Sequence, residues 1–410
     1  MRAQYEALPY PARDPADEAK RLVTGSPSHW PEMLHHLFAG RPPAGRGGKG
    51  RPMRLLVAGC GAGDGLVMLA QQSRDAGVAA EILALDLSDA ALEIARARLA
   101  ARGLSERVRL VRGSLLDAPA HARDGGRFDY IDCCGVLHHL PEPQAGFRAL
   151  AEALAPTGGM GLMVYAEYGR SGVYELQETL RRLAPEDLAP DARLAVARRV
   201  LAALPETNRF RRNPFLKDHL DSDAGLFDLL LHSIDRAYRA DDLLGEIEAA
   251  GLRLASWIDP LRYDPALYLP AEDAAAAAGL DPADRAATAE ALAGNLRKHI
   301  CYVVPAGRTG ETAAPIAPDA VPVWRDAQTQ RFFHGVPDGA ASLPLSIDGL
   351  TLEAPLPARA APLIRLIDGK RPLEAIRKKL PDRPDRAAFK ARVEALMRPL
   401  TGFSKLFLSR

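Results

Sequence analysis

Arg54-Leu55-Leu56-Val57-Ala58-Gly59-Cys60-Gly61-Ala62-Gly63-Asp64-Gly65 joins an apolar run of strand length to glycines at alternate positions, and Leu66, Val67, Leu69 and Ala70 follow at helical spacing. The pattern predicts a strand, a tight turn and a helix. Glycines lack a Cβ, so the turn can take positive φ and bring its backbone close to a ligand. The free N–H groups of the new helix end favour polar or anionic groups. A nucleotide-like cofactor is the natural guest.

Outward from this turn the rhythm is regular. Strand 55–58 leads to helix 64–74, strand 81–85 to helix 89–101, strand 108–111 to a loop, and strand 130–133 to helix 143–154. A further strand, 160–165, follows the turn Pro156-Thr157-Gly158-Gly159. Strands alternating with helices at this spacing predict a parallel sheet with right-handed crossovers and a ligand at the carboxyl ends of the strands. Asp86 closes the second strand. A carboxylate there accepts hydrogen bonds from both hydroxyls of a ribose; capping the next helix together with Ser88 is the structural alternative.

After residue 165 a mostly helical region runs to about 250, with helices at 174–183, 191–204 and 241–250. Strands return at 252–258 and 299–304, separated by an alanine-rich helical stretch, 271–294, that breaks near Pro282. Residues 1–50 read as a strap or lid, with a short helix around 30–38 and a Gly- and Pro-rich loop at 40–50; residues 306–322 read as a linker. The tail, 323–410, holds strands 343–347 and 350–352 joined by Asp348-Gly349, a strong hairpin signal, and helices at 357–367, 371–379 and 386–398.

Four blocks, in order, carry a family resemblance: Val57-Ala58-Gly59-Cys60-Gly61-Ala62-Gly63; Leu85-Asp86-Leu87-Ser88; Phe128-Asp129-Tyr130-Ile131-Asp132-Cys133-Cys134-Gly135-Val136-Leu137-His138-His139-Leu140; and Leu154-Ala155-Pro156-Thr157-Gly158-Gly159. They resemble the motifs of class I S-adenosylmethionine-dependent methyltransferases. The resemblance implies a doubly wound, seven-stranded, mostly parallel Rossmann-like sheet over 51–305 whose last strand is antiparallel. A helical cap is expected at about 168–240, and the tail is expected to be a small α+β winged-helix-like domain. It implies that Gly59, Cys60, Gly61 and Gly63 face the methionine part of S-adenosylmethionine and that Asp86, with Leu87, holds the ribose. Ser114 and Leu115 would border the adenine, and Cys134 and Gly135 would line the floor near the sulfonium. Two departures stand out: Val57 and Ser114 occupy positions where the family often has an acid.

A sulfonium is already an activated methyl donor, so the protein has mainly to align the nucleophile and exclude water. His138 and His139, after the fourth strand, and Tyr165, at the end of the fifth, are the candidate catalytic groups. Tyr168, Arg170 and Tyr174 emerge at the same sheet edge, and His232, Arg236 and Tyr238 lie in a polar and aromatic stretch of the cap; these six are the candidate substrate contacts. No metal site is expected. In the tail, Leu366-Ile367-Asp368-Gly369-Lys370-Arg371-Pro372-Leu373-Glu374-Ala375-Ile376 is similar to leader-peptide-recognition modules, which gives the tail a recognition or dimerisation role with a peptide or protein partner.

The totals agree. A chain of 410 residues accommodates two or three domains. Its net charge of +1 advertises neither nucleic acid nor an acidic membrane, although from residue 320 on there are 16 Lys/Arg against nine Asp/Glu, leaving the rest acidic. Four cysteines without metal or disulfide spacing, no apolar signal core after Met1 and no membrane-length apolar run predict a soluble, cytoplasmic protein. The function predicted is methyl transfer to a small-molecule, peptide or protein acceptor; the competing reading is a cofactor-binding, non-catalytic regulator or scaffold whose tail binds a partner.

Overall fold

The apolar run before the glycine turn forms β1 (Met53–Ala58), which is buried along almost its whole length, as expected of a strand covered by helices on both faces. The structure, a computed structural model, describes residues 5, 6, 8–43 and 50–410, so part of the expected 40–50 loop lies outside the described residues. β1 pairs in parallel with β2 (Ala80–Asp86) on one side and β4 (Phe128–Cys134) on the other. β3 (Val108–Arg112) extends the sheet beyond β2, and β5 (Leu154–Tyr165) beyond β4. β7 (Lys298–Pro305) runs antiparallel between β5 and β6 (Leu252–Trp257), which completes a seven-stranded sheet in the order β3-β2-β1-β4-β5-β7-β6. This is the doubly wound sheet, with one antiparallel strand, that the family resemblance implies.

Helix α1 (Trp30–Leu37) lies against β5, where a side chain would keep it away: a Cβ on Gly159 would stand 2.7 Å from the Leu37 methyl groups. The crossovers use α2 (Asp64–Asp75), α3 (Asp89–Ala101), α4 (Ala118–Gly125) and α5 (Pro143–Ala153). α4 replaces part of the loop expected after β3; its Pro sits in the first turn, where a missing N–H costs nothing. Pro156 to Gly159, expected as a turn, are instead an irregular start of β5, where the register against β4 slips between Phe128 and Tyr130.

Between β5 and β6 the cap comprises α6 (Val173–Leu183), α7 (Pro190–Ala203), α8 (Arg209–Arg212), α9 (Asp218–Asp221) and α10 (Asp223–Leu230), followed by α11 (Ala240–Ala249). The cap has its own small core, which includes Val173, Leu180, Phe210, Phe227 and Leu230. α12 (Ala271–Ala277) and α13 (Pro282–Ala293) precede β7, with the break at Pro282.

In the tail, β8 (Val321–Trp324) and β11 (Leu406–Ser409) pair antiparallel and close the unit; each is only four residues long, too short to read from alternation. The hairpin β9 (Ser342–Ile347) and β10 (Leu350–Pro355) turns at Asp348 and Gly349, both at positive φ (47° and 80°), as a two-residue hairpin turn of right twist demands. Helices α14 (Ala327–His334), α15 (Ala360–Arg365), α16 (Leu373–Lys379) and α17 (Arg386–Gly402) enclose a second core. The tail is tied to α1: the Leu408 N–H donates to His35 Nδ1 at 3.0 Å and the Arg410 N–H to the Gly40 carbonyl at 2.7 Å. Residues 306–322 run along the same surface, with the Ala314 N–H on the His35 carbonyl and Arg308 on the carbonyls of Leu37 and Gly158. Among the described residues no helix is long and apolar enough to cross a membrane.

Candidate active site

The glycine turn closes onto the end of β2. Gly59 has φ +79°, and a Cβ there would stand 2.5 Å from a Val136 methyl, so glycine is required both by conformation and by the approach of the β4 loop. The Gly61 N–H donates to Asp86 Oδ2 at 2.7 Å, and the Ser88 N–H to Asp86 Oδ1 at 2.9 Å. Burial pushes the Asp86 carboxyl above its ordinary range, against the pull of these N–H donors. Ser88 in turn caps α3 through its hydroxyl, so the capping role falls to Ser88 and leaves Asp86 facing the pocket.

That pocket has a volume of about 410 Å³. Gly59, Cys60, Gly61, Asp86 and Leu87 line one side of it, Ser114 and Leu115 a second, and Cys134 and Gly135 the floor. Gly63 is not part of the lining: at φ +95° it is the left-handed residue that starts α2. The N-terminal segment supplies a wall made of Tyr5, Tyr10, Pro11 and Arg13. An ion-pair chain fastens it, with Arg13 on Asp64 at 2.6 Å and the fully buried Arg98 joining Asp64 to Glu18, both at 2.7 Å. Sequence reading had no means of finding these partners, which lie 34 to 80 residues apart.

Asp132 is the main residue that sequence reading missed. It lies on β4 as the register partner of Val57, lines the pocket and is buried. Ser28 donates to its Oδ2 at 2.5 Å, whereas Oδ1 has no partner among the described residues. Burial pushes this carboxyl up to about 6, and the Ser28 hydrogen bond restrains the rise. The acid absent at Val57 is thus present one strand over.

At the other end of the pocket, Tyr165, His139 and Asp228 meet. Tyr165 and Tyr5 both donate to the buried Asp228 carboxylate, at 3.0 and 3.2 Å. The ring of His139 stacks on that of His232 with centroids 3.8 Å apart, and His232 Nε2 lies 3.1 Å from the Tyr5 hydroxyl. Ile234 sets both tautomers: its carbonyl accepts from His139 Nδ1 at 2.8 Å, and its N–H donates to His232 Nδ1 at 3.1 Å. A neutral His139 therefore carries its lone pair at Nε2, and a neutral His232 carries its proton there. His139, Asp228 and His232 are spaced as metal ligands are, but that proton denies a metal the His232 Nε2 lone pair.

The other residues predicted from sequence stand behind this surface. His138 is fully buried beside Tyr165, and neither ring nitrogen has a partner among the described residues. Arg170 is buried, lies 3.6 Å over the Tyr165 ring and bonds Asp235 and the Tyr174 hydroxyl at 3.0 Å each, so Arg170 and Tyr174 support Tyr165 rather than face the pocket. Tyr238 is buried with its backbone on Tyr165, Arg236 pairs with Glu246 at 3.0 Å, and Tyr168 is exposed away from the lining. Apart from His138, which follows β4, these residues come after β5 in sequence, but the chain turns them outward or under the cap.

Comparison with known proteins agrees with this geometry. Residues 56–160 match the family model of a methyltransferase domain. An uncharacterized protein from Synechococcus sp. is 34% identical over 267 residues, covering 64% of this chain and 60% of that one. The ubiquinone biosynthesis O-methyltransferase of Thiobacillus denitrificans is 32% identical over 156 residues, 38% of this chain and 58% of the other. The chain thus spans about 60% of the length of these curated relatives. The structure of PKMT2 from Rickettsia typhi in complex with AdoHcy superposes with a TM-score of 0.61 at 15% identity, over 93% of this chain and 76% of that one, so the shared fold takes in most of the tail as well. The chain carries a class I S-adenosylmethionine-dependent methyltransferase domain.

Proposed function

We propose that the protein transfers a methyl group from S-adenosylmethionine to a proton-bearing nucleophile on a small-molecule, peptide or protein acceptor. The observation that carries this reading is the single pocket in which the glycine turn, Asp86 and the unpartnered Asp132 oxygen share a lining with Tyr165, His139 and Asp228. The residues present fit the cofactor: Asp86 would hold the ribose, Ser114 and Leu115 the adenine, and the glycine turn with Asp132 the methionine part. When bound, S-adenosylmethionine supplies an electrophilic methyl group on a sulfonium. The N-terminal wall excludes water from it. Tyr165 and Asp228 orient the acceptor, and His139 Nε2, its tautomer fixed by Ile234, takes the acceptor's proton.

Titration calorimetry with S-adenosylhomocysteine tests cofactor binding. The wild-type chain should bind it, and Asp86→Ala should weaken it at least about tenfold, the cost of about 1.5–3 kcal/mol for losing hydrogen bonds to a charged acceptor. Absence of binding by the wild-type chain overturns the reading. Methyl-labelled S-adenosylmethionine and a panel of phenols, carboxylic acids, amines and peptides then report transfer. His139→Gln should slow transfer about 10²–10⁴-fold, with S-adenosylhomocysteine affinity unchanged; an unchanged rate removes His139 as the base.

A further inference from the structure

A second cavity, of about 340 Å³, lies where the methyltransferase sheet meets the tail. Its walls come from the N-terminal segment, the turn after β6, the start of β7, the residue after β8, the β9–β10 hairpin tip and the approach to β11. The lining is strongly charged and unbalanced. Arg262, Arg297, Lys298, Arg325 and Lys405 face two acids, Asp259 and Asp348. Glu32 neutralises Arg325 at 3.1 Å, which leaves a surplus of two positive charges.

Part of this charge is unused. Arg262 is only 6% exposed; its two terminal nitrogens hold Asp348 at 2.8 Å and Asn295 at 2.9 Å, but its buried Nε has no partner among the described residues. Lys298 and Lys405 form no ion pair among the described residues. Arg262 is buried, Lys405 half-buried and Lys298 exposed, and the cations converge from four segments of the chain, an arrangement suited to an anion. The Asp259 N–H donates to Ser404 Oγ at 3.1 Å, which ties the turn after β6 to the approach to β11 across the cavity wall.

The location says which molecule brings the anion. Lys298 lines this cavity and the cofactor pocket alike, and it is the register partner of Tyr165. A ligand spanning the two spaces would place one end beside Tyr165, where the methyl group is to be received, and its other end among the cations. We propose that the inter-domain cavity binds an anionic group, carboxylate or phosphate, on the methyl acceptor, and that the tail's hairpin tip and the Ser404-Lys405 turn complete this acceptor subsite. The inference rests on the methyltransferase reading above.

Calorimetry on the full chain with inorganic phosphate and with malonate, each with and without S-adenosylhomocysteine, tests it. Saturable binding is expected, weakened at least tenfold in Lys405→Met, a residue outside the cofactor pocket, whose S-adenosylhomocysteine affinity and melting temperature should match the wild type. Tighter phosphate binding identifies a phosphate ester, and tighter malonate binding a carboxylate. In the label-transfer panel, acceptors bearing such a group should outperform their neutral analogues, and Lys405→Met should raise KM for them with little change in kcat. No saturation by either probe, undiminished binding in the variant or preference for the neutral analogues overturns the inference. Anion binding without S-adenosylhomocysteine binding would instead remove the methyltransferase reading and leave the anion site standing.

Discussion

Asp132→Asn is expected to weaken binding of S-adenosylhomocysteine by at least about 30-fold, because breaking a buried charge pair costs about 2–5 kcal/mol. The ligand's methionine part carries a cationic amino group, and the Asp132 Oδ1 atom is a buried acceptor in the pocket with nothing bound to it among the described residues. The substitution should leave the fold intact, since an asparagine oxygen can still accept from Ser28 where Asp132 Oδ2 does now. Thermal unfolding of the ligand-free variant checks that. The pH dependence gives a second, independent readout. Burial pushes the Asp132 carboxyl up to about 6, so the cation meets a carboxylate above pH 6 and a neutral acid below it. Affinity should be level from pH 7 to 8 and fall by up to tenfold per pH unit below 6, whereas the Asn variant should lose that dependence. Equal affinities of the two proteins at pH 7.5 would assign the amino group elsewhere.

Asp132 also shows how far the sequence could be read. The glycine turn, Asp86 and the alternation of strands and helices are local signals, with neighbours in sequence that are neighbours in space, so the parallel part of the sheet and most of one pocket wall were legible, whereas the antiparallel last strand followed only from the family resemblance. The Asp132 carboxylate was not: Val57 occupies the position where the family often has an acid, and only the β1–β4 register brings Asp132 beside it. Asp228 escaped notice for the same reason. It sits in an apolar helix, α10, between Phe227 and Leu229, and nothing near it in sequence announces that two tyrosine hydroxyls from residues 5 and 165 converge on it. Conversely, Arg170 and Tyr174 looked like substrate contacts because they follow β5, yet burial and the contact with Tyr165 make them its support. The tail's closing strands were hidden by brevity, and their pairing joins residues more than 80 apart.

The second large effect concerns that closing ribbon. Lowering the pH from 7 to 5 is expected to destabilise the junction between α1 and β11 by several kcal/mol. His29, His35 and His36 are buried around Phe407, with ring centroids 5.8, 6.0 and 6.2 Å from it. Burial pushes His29 down to about 3, helped by Arg325 and opposed by Asp326, and pushes His35 down to about 4. His36 is driven well below its ordinary value by burial and by His35, and it stacks on Tyr302 with Nε2 unpartnered among the described residues. The folded protein holds all three neutral, while the unfolded chain protonates them below about 6.5. Their stabilising contribution is therefore complete above pH 6.5 and is lost as pH falls toward the folded values, at about 1.4 kcal/mol per pH unit for each, or about 6 kcal/mol for three at pH 5. That is comparable with the whole stability of a domain. Protonating His35 Nδ1 also removes the acceptor of the Leu408 N–H, so the ribbon should loosen first. Denaturant unfolding followed by the fluorescence of Trp30 and Trp324 at pH 7, 6 and 5 measures the loss. His138 and His232 are also driven down by burial and act in the same direction from the cap side, so His36→Phe serves to localise the effect. It should reduce the slope of stability against pH by about one proton; an unchanged slope would place the acid sensitivity away from the ribbon.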